Sequence, residues 1–302
     1  MTSATPLPRW LGVSLLLLIA ASFASNHVAA RLAFDHGANV ATAVAVRSMG
    51  AALFVLALLA HAGVSLRMSA TTLRRAIGIG LLVAIQSLCL YSAVARIPVA
   101  LALLAFNIFP LMLGLISWAA GGERPSRRAF VAMPIALVGL ALALDVAGFA
   151  RPPAGAAAVP ASMGVGVAFA LSGAAAFASA LYLTTRWLAS TDGRLRTLVL
   201  MLVVTAVAIA SGALGGRFEW PADGIGWAAL AGLTVLYSSA ITALFVLLPR
   251  LGAVNNAAVM NFEPIAALFL GWVILDQQVA AIQIAGALVV IGAIVMLTTG
   301  RR

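Results

Sequence analysis

Charged residues are scarce in this sequence, and this scarcity is the first limit on what the protein can be. Only 9% of the 302 residues are Asp, Glu, Lys or Arg, whereas 64% are hydrophobic and the mean hydropathy is +1.12. A soluble domain has about 25% charged and about 45–50% apolar residues. Too few polar side chains are present to cover a water-soluble surface, so the composition predicts an integral membrane protein.

Lysine is absent, and all 18 basic residues are arginines. In a soluble protein the net charge of +10 would suggest a nucleic-acid partner. Here most arginines lie between apolar stretches, which is the pattern that orients membrane proteins, and we expect no nucleic-acid partner. The single cysteine, Cys89, has no partner for a disulfide within the chain and predicts no metal site.

Sequence motifs of several enzyme classes are also missing. The chain has no phosphate-binding loop ending in Gly-Lys-Ser/Thr, no His-Glu-x-x-His pair and no Gly-x-Ser-x-Gly elbow. An intramembrane enzyme would need clustered carboxylates or histidines, and only Glu263 and His27 are candidates at depth. We therefore expect no enzymatic activity, no catalytic residue and no cofactor.

Ten apolar stretches are separated by clusters of Gly, Pro, Arg or Asp, and each is near the length of about 20 residues needed to cross a bilayer. We predict an all-α polytopic membrane protein with ten transmembrane helices. The longest break, 146–161, indicates two units at 1–150 and 162–302 joined by a linker at 151–161. The predicted spans lie near 10–33, 40–62, 72–95, 98–119, 127–145, 162–187, 196–215, 224–248, 253–274 and 279–299.

The two units repeat each other at a constant offset of 154 residues. An odd number of spans per unit means that the two copies enter the membrane in opposite directions, so the repeat predicts inverted topology. Inverted repeats are a recurring plan of secondary transporters, which hold substrate near the midplane and expose it to the two sides in turn. Matched positions include Phe23 with Phe177, Ser25 with Ser179, Arg96 with Arg250, Asn107 with Asn261, Pro110 with Pro264, and Trp118 with Trp272.

The arginines predict the orientation of the chain. With both termini in the cytoplasm, the inside segments hold thirteen arginines, the outside segments hold four, and Arg47 lies within the second span. Because cytoplasmic segments carry the excess of basic residues, we predict cytoplasmic N- and C-termini.

In the order and spacing of several short motifs, the chain resembles the drug/metabolite transporter superfamily, in its ten-helix duplicated-domain (EamA-type) branch. The match covers nearly the whole chain. Its motifs are Ala21-Ser-Phe-Ala-Ser-Asn26 in the first span, Arg47 in the second, Pro110 in the fourth with Gly-Glu-Arg at 122–124 after it, and Glu263-Pro264 in the ninth.

Within the superfamily, the chain looks most like bacterial exporters of aromatic and other neutral amino acids. The resemblance implies that helices one to four and six to nine surround a central cavity, with helices five and ten outside. It also implies a multi-pass protein of the bacterial inner membrane whose partners are the lipid bilayer and a small-molecule substrate. A homodimer through helices five and ten is possible but not indicated by any motif.

Polar and aromatic side chains deep in the cavity-lining spans are the candidate substrate-binding residues. Glu263, near the bilayer centre, either contacts a substrate amine or a proton, or is hydrogen-bonded within the packing. For the other candidates, the alternative is an interhelical hydrogen bond or simple packing. The full set is Asn26, His27, Gln86, Tyr91, Asn107, Tyr182, Tyr237, Asn261 and Glu263.

Two prolines and one arginine are interpreted separately. Pro110 and Pro264 free a backbone carbonyl at matched depths, which predicts a hinge or gate or, alternatively, a static kink. We favour a structural partner or the outer headgroups for Arg47. The alternative is that its guanidinium holds a substrate carboxylate by two parallel hydrogen bonds.

A carrier is favoured over a channel, because a pore would need a polar stripe or a charged ring and the polar residues here are sparse and concentrated near mid-membrane. The sequence thus predicts an amino-acid exporter that works by alternating access. Efflux of drugs or other small metabolites is the alternative, and a passive channel is less favoured.

Overall fold

The computed structural model of the chain describes residues 9–121, 131, 134–136, 138–139, 141–142, 161–215, 217–251, 262–277 and 280–299. Across these residues, every regular element is an α-helix and no strand is present. The helices are α1 (Arg9–Asp35), α2 (Val40–His61), α3 (Ala70–Val94), α4 (Val99–Phe106), α5 (Phe109–Ala119), α6 (Ala161–Trp187), α7 (Gly193–Leu214), α8 (Gly224–Leu251), α9 (Phe262–Leu275) and α10 (Ala281–Thr299).

Seven of the described stretches are long and apolar enough to cross a membrane, which makes the chain a multi-pass membrane protein. Two shorter apolar helices, α9 and the first part of α10, add to them. The predicted fifth span is described only at scattered positions between 131 and 142, all of them helical, and the predicted linker at 151–160 lies outside the described residues. The seven stretches are Ser14–Asp35, Val40–His61, Ala70–Val94, Val99–Ala119, Met163–Trp187, Gly193–Leu214 and Gly224–Ile241.

The fourth span is interrupted where α4 ends and α5 begins. Pro110 lies in the first turn of α5, where its missing N–H leaves no helical hydrogen bond unmade. At the end of α4, the side-chain Nδ2 of Asn107 donates to the carbonyl of Leu103 at 2.8 Å. This span is therefore two short helices joined at Asn107–Ile108, one turn before the residue that the sequence predicts to be a hinge.

The contacts between the two parts of the chain come in matched pairs. At the offset of 154, α1 corresponds to α6, α2 to α7, α3 to α8, and α4 with α5 to α9. The pairing of α1 with α8 is matched by α3 with α6, the pairing of α2 with α8 by α3 with α7, and the pairing of α1 with α9 by α4 and α5 with α6. The helix α2 packs on its own counterpart, α7. This pattern is that of an internal twofold relation.

The ends of α2 and α7 show that these two matched helices run in opposite directions. Asn39, which caps the start of α2, donates through its backbone N–H to the carbonyl of Glu219 at 3.2 Å, just beyond the end of α7. At the other end of the molecule, Leu188, before α7, is buried in an apolar cluster against which Met68, before α3, also packs. The counterpart helices α2 and α7 therefore lie side by side and antiparallel.

Candidate substrate-binding site

A buried group of polar and aromatic side chains lies where helices from both parts of the chain meet. We call this group the polar cluster. It comprises Asn26 and His27 on α1, Arg47 on α2, Ser87 and Tyr91 on α3, Tyr237 on α8 and Glu263 on α9. Tyr91 is at its centre: its hydroxyl donates to Asn26 Oδ1 at 3.2 Å, and its ring meets the ring of His27 edge-on at 5.7 Å.

Arg47 is the cation of the polar cluster, and only 4% of its surface is exposed. Its guanidinium carbon lies 4.7 Å from the ring centre of Tyr91 and 4.0 Å from that of Tyr237, so it sits between two aromatic faces. Its Nη2 donates to Ser87 Oγ at 3.1 Å. In the described part of the chain, Arg47 forms no salt bridge with a carboxylate.

These contacts only partly offset the burial of the Arg47 charge. A buried ion loses several kcal/mol of hydration. Each desolvated cation–π contact returns about 2 kcal/mol, and a hydrogen bond to a neutral hydroxyl returns about 1 kcal/mol. The two tyrosines and Ser87 thus hold the guanidinium in place but supply no opposite charge.

Glu263 is the carboxylate of the polar cluster. Its Oε1 lies 3.5 Å from Nε2 of His27, and the two side chains are 21% and 8% exposed. Glu263 and Arg47 lie on different helices and are connected through the rings of His27 and Tyr91, since Glu263 contacts His27, His27 meets Tyr91, and Tyr91 contacts Arg47. The polar cluster therefore contains a guanidinium at one end of this chain of contacts and a carboxyl group at the other.

Several polar atoms of the site have no hydrogen-bond partner within the described residues, although each is buried. They are Asn26 Nδ2, His27 Nδ1, Arg47 Nε and Ser48 Oγ, the last on the residue next to Arg47. A buried donor without an acceptor costs about 1–3 kcal/mol. A site that binds a polar ligand can tolerate this cost, because the ligand supplies the missing partners.

The structure brings together five of the nine sequence-predicted binding residues: Asn26, His27, Tyr91, Tyr237 and Glu263. Gln86 lies at the edge, where its Oε1 accepts from Ser87 at 3.3 Å. Three candidates lie elsewhere or outside the description. Asn107 bonds to its own helix, Tyr182 accepts from Arg186 at 2.9 Å in an exposed position, and Asn261 is outside the described residues.

Sequence reasoning missed one member of the polar cluster, Ser87, and discussed another, Arg47, without including it among the binding residues. Ser87 was not singled out, although it precedes Tyr91 by four residues and so shares its helix face. For Arg47, the favoured sequence interpretation was a structural partner or the headgroups. The structure gives it structural contacts, Tyr91, Tyr237 and Ser87, and places it away from the headgroups, inside the bundle.

An apolar crevice lies apart from the polar cluster, between α4, α9 and α10. Pro98, Leu104, Pro264, Leu268 and Gln283 are among its lining residues. No residue of the polar cluster lines it, and its walls offer almost no polar partner. We therefore assign the candidate site to the polar cluster and not to this crevice. Pro264 lines the crevice and is not a member of the polar cluster.

One face of the molecule is closed by hydrogen bonds between loops from the two parts of the chain. We call this arrangement the latch; it joins residues 36–39, between α1 and α2, to residues 217–223, between α7 and α8. Gly37 adopts φ +98°, which favours glycine, and this turn brings its backbone against Ala222. The bonds are His36 Nδ1 to Asp223 Oδ2 (2.6 Å), Ala222 N to His36 O (2.9 Å), Asn39 N to Glu219 O (3.2 Å) and Asn39 Nδ2 to Arg217 O (3.0 Å).

The charge of the latch persists at neutral pH. The backbone N–H of Gly226 and then the imidazole of His36 donate to Asp223, and together they lower the pKa of this carboxyl below its ordinary value of 3.8. A carboxyl with a depressed pKa is ionised at every pH above that value. The Asp223 contribution to the latch is therefore lost only in strongly acidic solution.

The corresponding loops on the opposite face are not latched. They are residues 62–69, between α2 and α3, and 188–192, between α6 and α7. Both loops are fully described, and no hydrogen bond joins them. Near both loops lies an apolar cluster in which Leu188 is buried and against which Met68 packs. The two faces of the molecule thus differ although the helices behind them are related by an internal twofold.

A duplicated helical membrane protein that encloses a polar cluster between its two parts belongs to the class of membrane transporters. Comparison with protein families agrees, because the EamA-like transporter family matches residues 10–144 and again residues 164–299. The chain belongs to this family, and its function is transport and not enzymatic catalysis.

A solved structure titled only "Crystal structure of protein" is similar to the whole chain. The two are 18% identical, the TM-score is 0.67, and the match covers 97% of this chain and 98% of the other. At this identity the similarity establishes the fold alone. A comparison with curated proteins finds no match.

Proposed function

We propose that this transporter is a secondary carrier that exports amino acids, aromatic and other neutral ones, by alternating access. The observation that carries this proposal is the difference between the two faces. One face is closed by the latch, and the equivalent loops on the other face have no hydrogen bond between them. In a carrier built from repeats, the two halves exchange such arrangements, and the site opens to each side in turn.

We infer that the protein consists of two inverted five-helix repeats, at 1–150 and 162–302, around a central cavity. The matched contacts between the repeats and the antiparallel run of α2 and α7 support this arrangement. With the termini in the cytoplasm, the latched face is the outer one. The conformation is then closed to the outside, which is the state in which an exporter collects substrate from the cytoplasm of a bacterial cell.

The chemistry of the polar cluster supports an amino acid as the cargo. A zwitterion carries one carboxylate and one ammonium group, and the polar cluster offers a guanidinium from Arg47 and a carboxylate from Glu263. Aromatic rings border this region, Phe23 against Tyr237 and Phe34 against Tyr91, and they suit an apolar side chain. The buried His27–Glu263 pair also suits an amine-bearing drug, which is the alternative cargo.

Substrate counterflow tests the proposed function. Purified protein in liposomes preloaded with unlabelled L-phenylalanine is expected to accumulate labelled L-phenylalanine transiently, because a carrier exchanges substrate across a saturable site. The same liposomes run with and without a pH gradient show whether protons take part. Movement of cationic drugs without any neutral amino acid would replace the proposed cargo with the alternative, and an open pore would give no counterflow at all.

The latch gives a second prediction, for Asp223→Ser. Serine still caps the start of α8 but removes the carboxylate that bonds to His36 across the latch. We expect amide hydrogen exchange in residues 36–39 and 217–226 to become about five-fold faster, because the outer loops separate more often. Exchange in residues 62–69 and 188–193 is expected to slow in parallel, because alternating access closes one face as the other opens.

The reciprocal response distinguishes a gate from a loose loop. If the exchange rate rises in the latch alone and is unchanged on the opposite face, the two faces are not coupled and alternating access through this latch is wrong. Asp35→Ser is the control, since Asp35 pairs with Arg31 on its own helix and takes no part in the latch. This control is expected to leave both pairs of loops unchanged.

A further inference from the structure

We propose that Arg47 is the anchor for a carboxylate group of the transported molecule, so that the substrate class is a small organic acid or zwitterion and not a simple amine. This inference rests on the proposed transport function and identifies the part of the substrate that the site recognises. It assigns Arg47 a role in binding that differs from the structural one favoured by the sequence.

The first step is the charge of the site. Arg47 is a buried guanidinium cation, and its described contacts are two aromatic faces and one hydroxyl, all of them neutral. A structural arginine in a membrane interior normally pairs with an acidic side chain or with backbone carbonyls, and the described contacts of Arg47 include neither. The carboxylate of the polar cluster, Glu263, is instead next to His27. The guanidinium thus keeps an unneutralised charge that an anionic ligand would complete.

The second step is the set of unused donors. Arg47 Nε is buried without a hydrogen-bond partner, while Nη2 is used by Ser87. The amide Nδ2 of Asn26 is also buried without a partner, while its Oδ1 accepts from the hydroxyl of Tyr91. Both are donors, so both require an acceptor, and a carboxylate offers two oxygens that accept several hydrogen bonds. An ammonium group would satisfy neither.

The third step is that two aromatic rings fix the position of the Arg47 guanidinium. Tyr91 and Tyr237 cover it from α3 and α8, which belong to matched positions of the two repeats. A carboxylate can approach the edge of a guanidinium while its faces stay stacked. A bound substrate would therefore connect α2, α3 and α8 through Arg47. Because these helices exchange contacts between the outward-facing and inward-facing states, Arg47 would move with them.

Ligand binding to the purified wild-type protein is the first test. L-phenylalanine, L-phenylalaninamide and phenylacetate share one ring and differ in their charged groups. We expect phenylalanine and phenylacetate to bind, and replacement of the carboxylate by the amide to weaken the affinity of phenylalanine at least ten-fold in isothermal titration. Equal affinity for acid and amide, or no binding of phenylacetate, would show the anchor assignment to be wrong.

Two nearly isosteric variants of Ser87 provide the second test. Ser87 Oγ lies 3.1 Å from Arg47 Nη2, so Ser87→Asp places a carboxylate of the protein itself beside the guanidinium, whereas Ser87→Asn adds the same bulk without the charge. Phenylacetate is expected to bind the Asp variant at least ten-fold more weakly than the Asn variant. Similar affinities for the two variants would contradict the proposal.

Counterflow separates this inference from the proposed function. If acid and amide bind differently but labelled phenylalanine shows no counterflow, the anchor stands and amino-acid export is wrong. If counterflow is observed and the amide moves as fast as the acid, transport stands and the anchor is wrong. The thermal unfolding midpoint of each Ser87 variant shows that it is folded, and the wild-type ligand series stands even if one of them is not.

Discussion

Gly80→Leu is expected to lower the thermal unfolding midpoint by about 2–5 °C, whereas Gly78→Leu should change it by no more than about 1 °C. A Cβ atom at Gly80 would lie 2.8 Å from the Cβ of Val203 on α7, while a Cβ at Gly78 meets nothing within 4 Å. Val203 is branched at Cβ and cannot turn away without moving its helix. Overpacking of this kind costs about 1–3 kcal/mol or more, which corresponds to this shift in a chain of this size.

Gly78 and Gly80 can be compared directly because they are two residues apart on the same helix, α3. Leucine has a better helix propensity than glycine by several tenths of a kcal/mol at both positions, so the difference between the variants isolates the contact with α7. Scanning fluorimetry of both proteins in the same detergent measures that difference. Equal midpoints would mean that α3 and α7 are not packed closely at this point.

The same close approach occurs at the matching contact of the internal repeat. A Cβ at Gly50 on α2 would clash with Thr234 Cγ2 on α8. Gly80 and Thr234 are matched at the offset of 154, and Val203 is one residue from the position that matches Gly50. Two small residues of the first repeat therefore let α2 and α3 approach the second repeat. Packing of this kind needs shape complementarity, because lipid gives helices no hydrophobic reason to associate.

Span positions could be predicted from the sequence, because hydropathy reports directly on the bilayer. The predicted span 40–62 corresponds to α2 at Val40–His61, and the predicted span 196–215 corresponds to α7 at Gly193–Leu214. The interruption near Pro110 was also predictable in position, since proline cannot donate a backbone hydrogen bond. The rotation of each helix about its own axis could not be predicted from the sequence.

Helix rotation is hidden because these helices are apolar all round. Tyr182 and Tyr237 looked equivalent in the sequence, yet Tyr237 stacks on Arg47 and Tyr182 lies beside the exposed Arg186. The fold could therefore be predicted much further than the site. The neighbours of a side chain on other helices depend on packing, which hydropathy does not encode. For the same reason, the sequence could not show that Arg47 lies between Tyr91 and Tyr237.

Glu263→Gln is expected to reduce the kcat/KM for phenylalanine counterflow by about a hundred-fold. Glu263 carries the carboxylate opposite Arg47, and its Oε1 lies 3.5 Å from His27. Removing the carboxyl partner of a buried substrate ammonium group costs about 2–5 kcal/mol, and about 2.7 kcal/mol corresponds to a hundred-fold change. Glu219→Gln is the control, since the same chemical change is made in an exposed loop, where the carbonyl of Glu219 and not its side chain bonds to Asn39.

Comparing the effect of Glu263→Gln on the binding of different ligands tests which end of the substrate lies next to Glu263. Phenylacetate has no ammonium group, so its binding should fall much less than that of phenylalanine if Glu263 holds the ammonium end. An equal loss for both ligands would assign Glu263 to the packing around His27, and an unchanged rate with an unchanged pH dependence would remove Glu263 from the mechanism. A selective loss, together with the acid-over-amide preference assigned to Arg47, would orient the zwitterion across Tyr91 with its two charges toward α2 and α9.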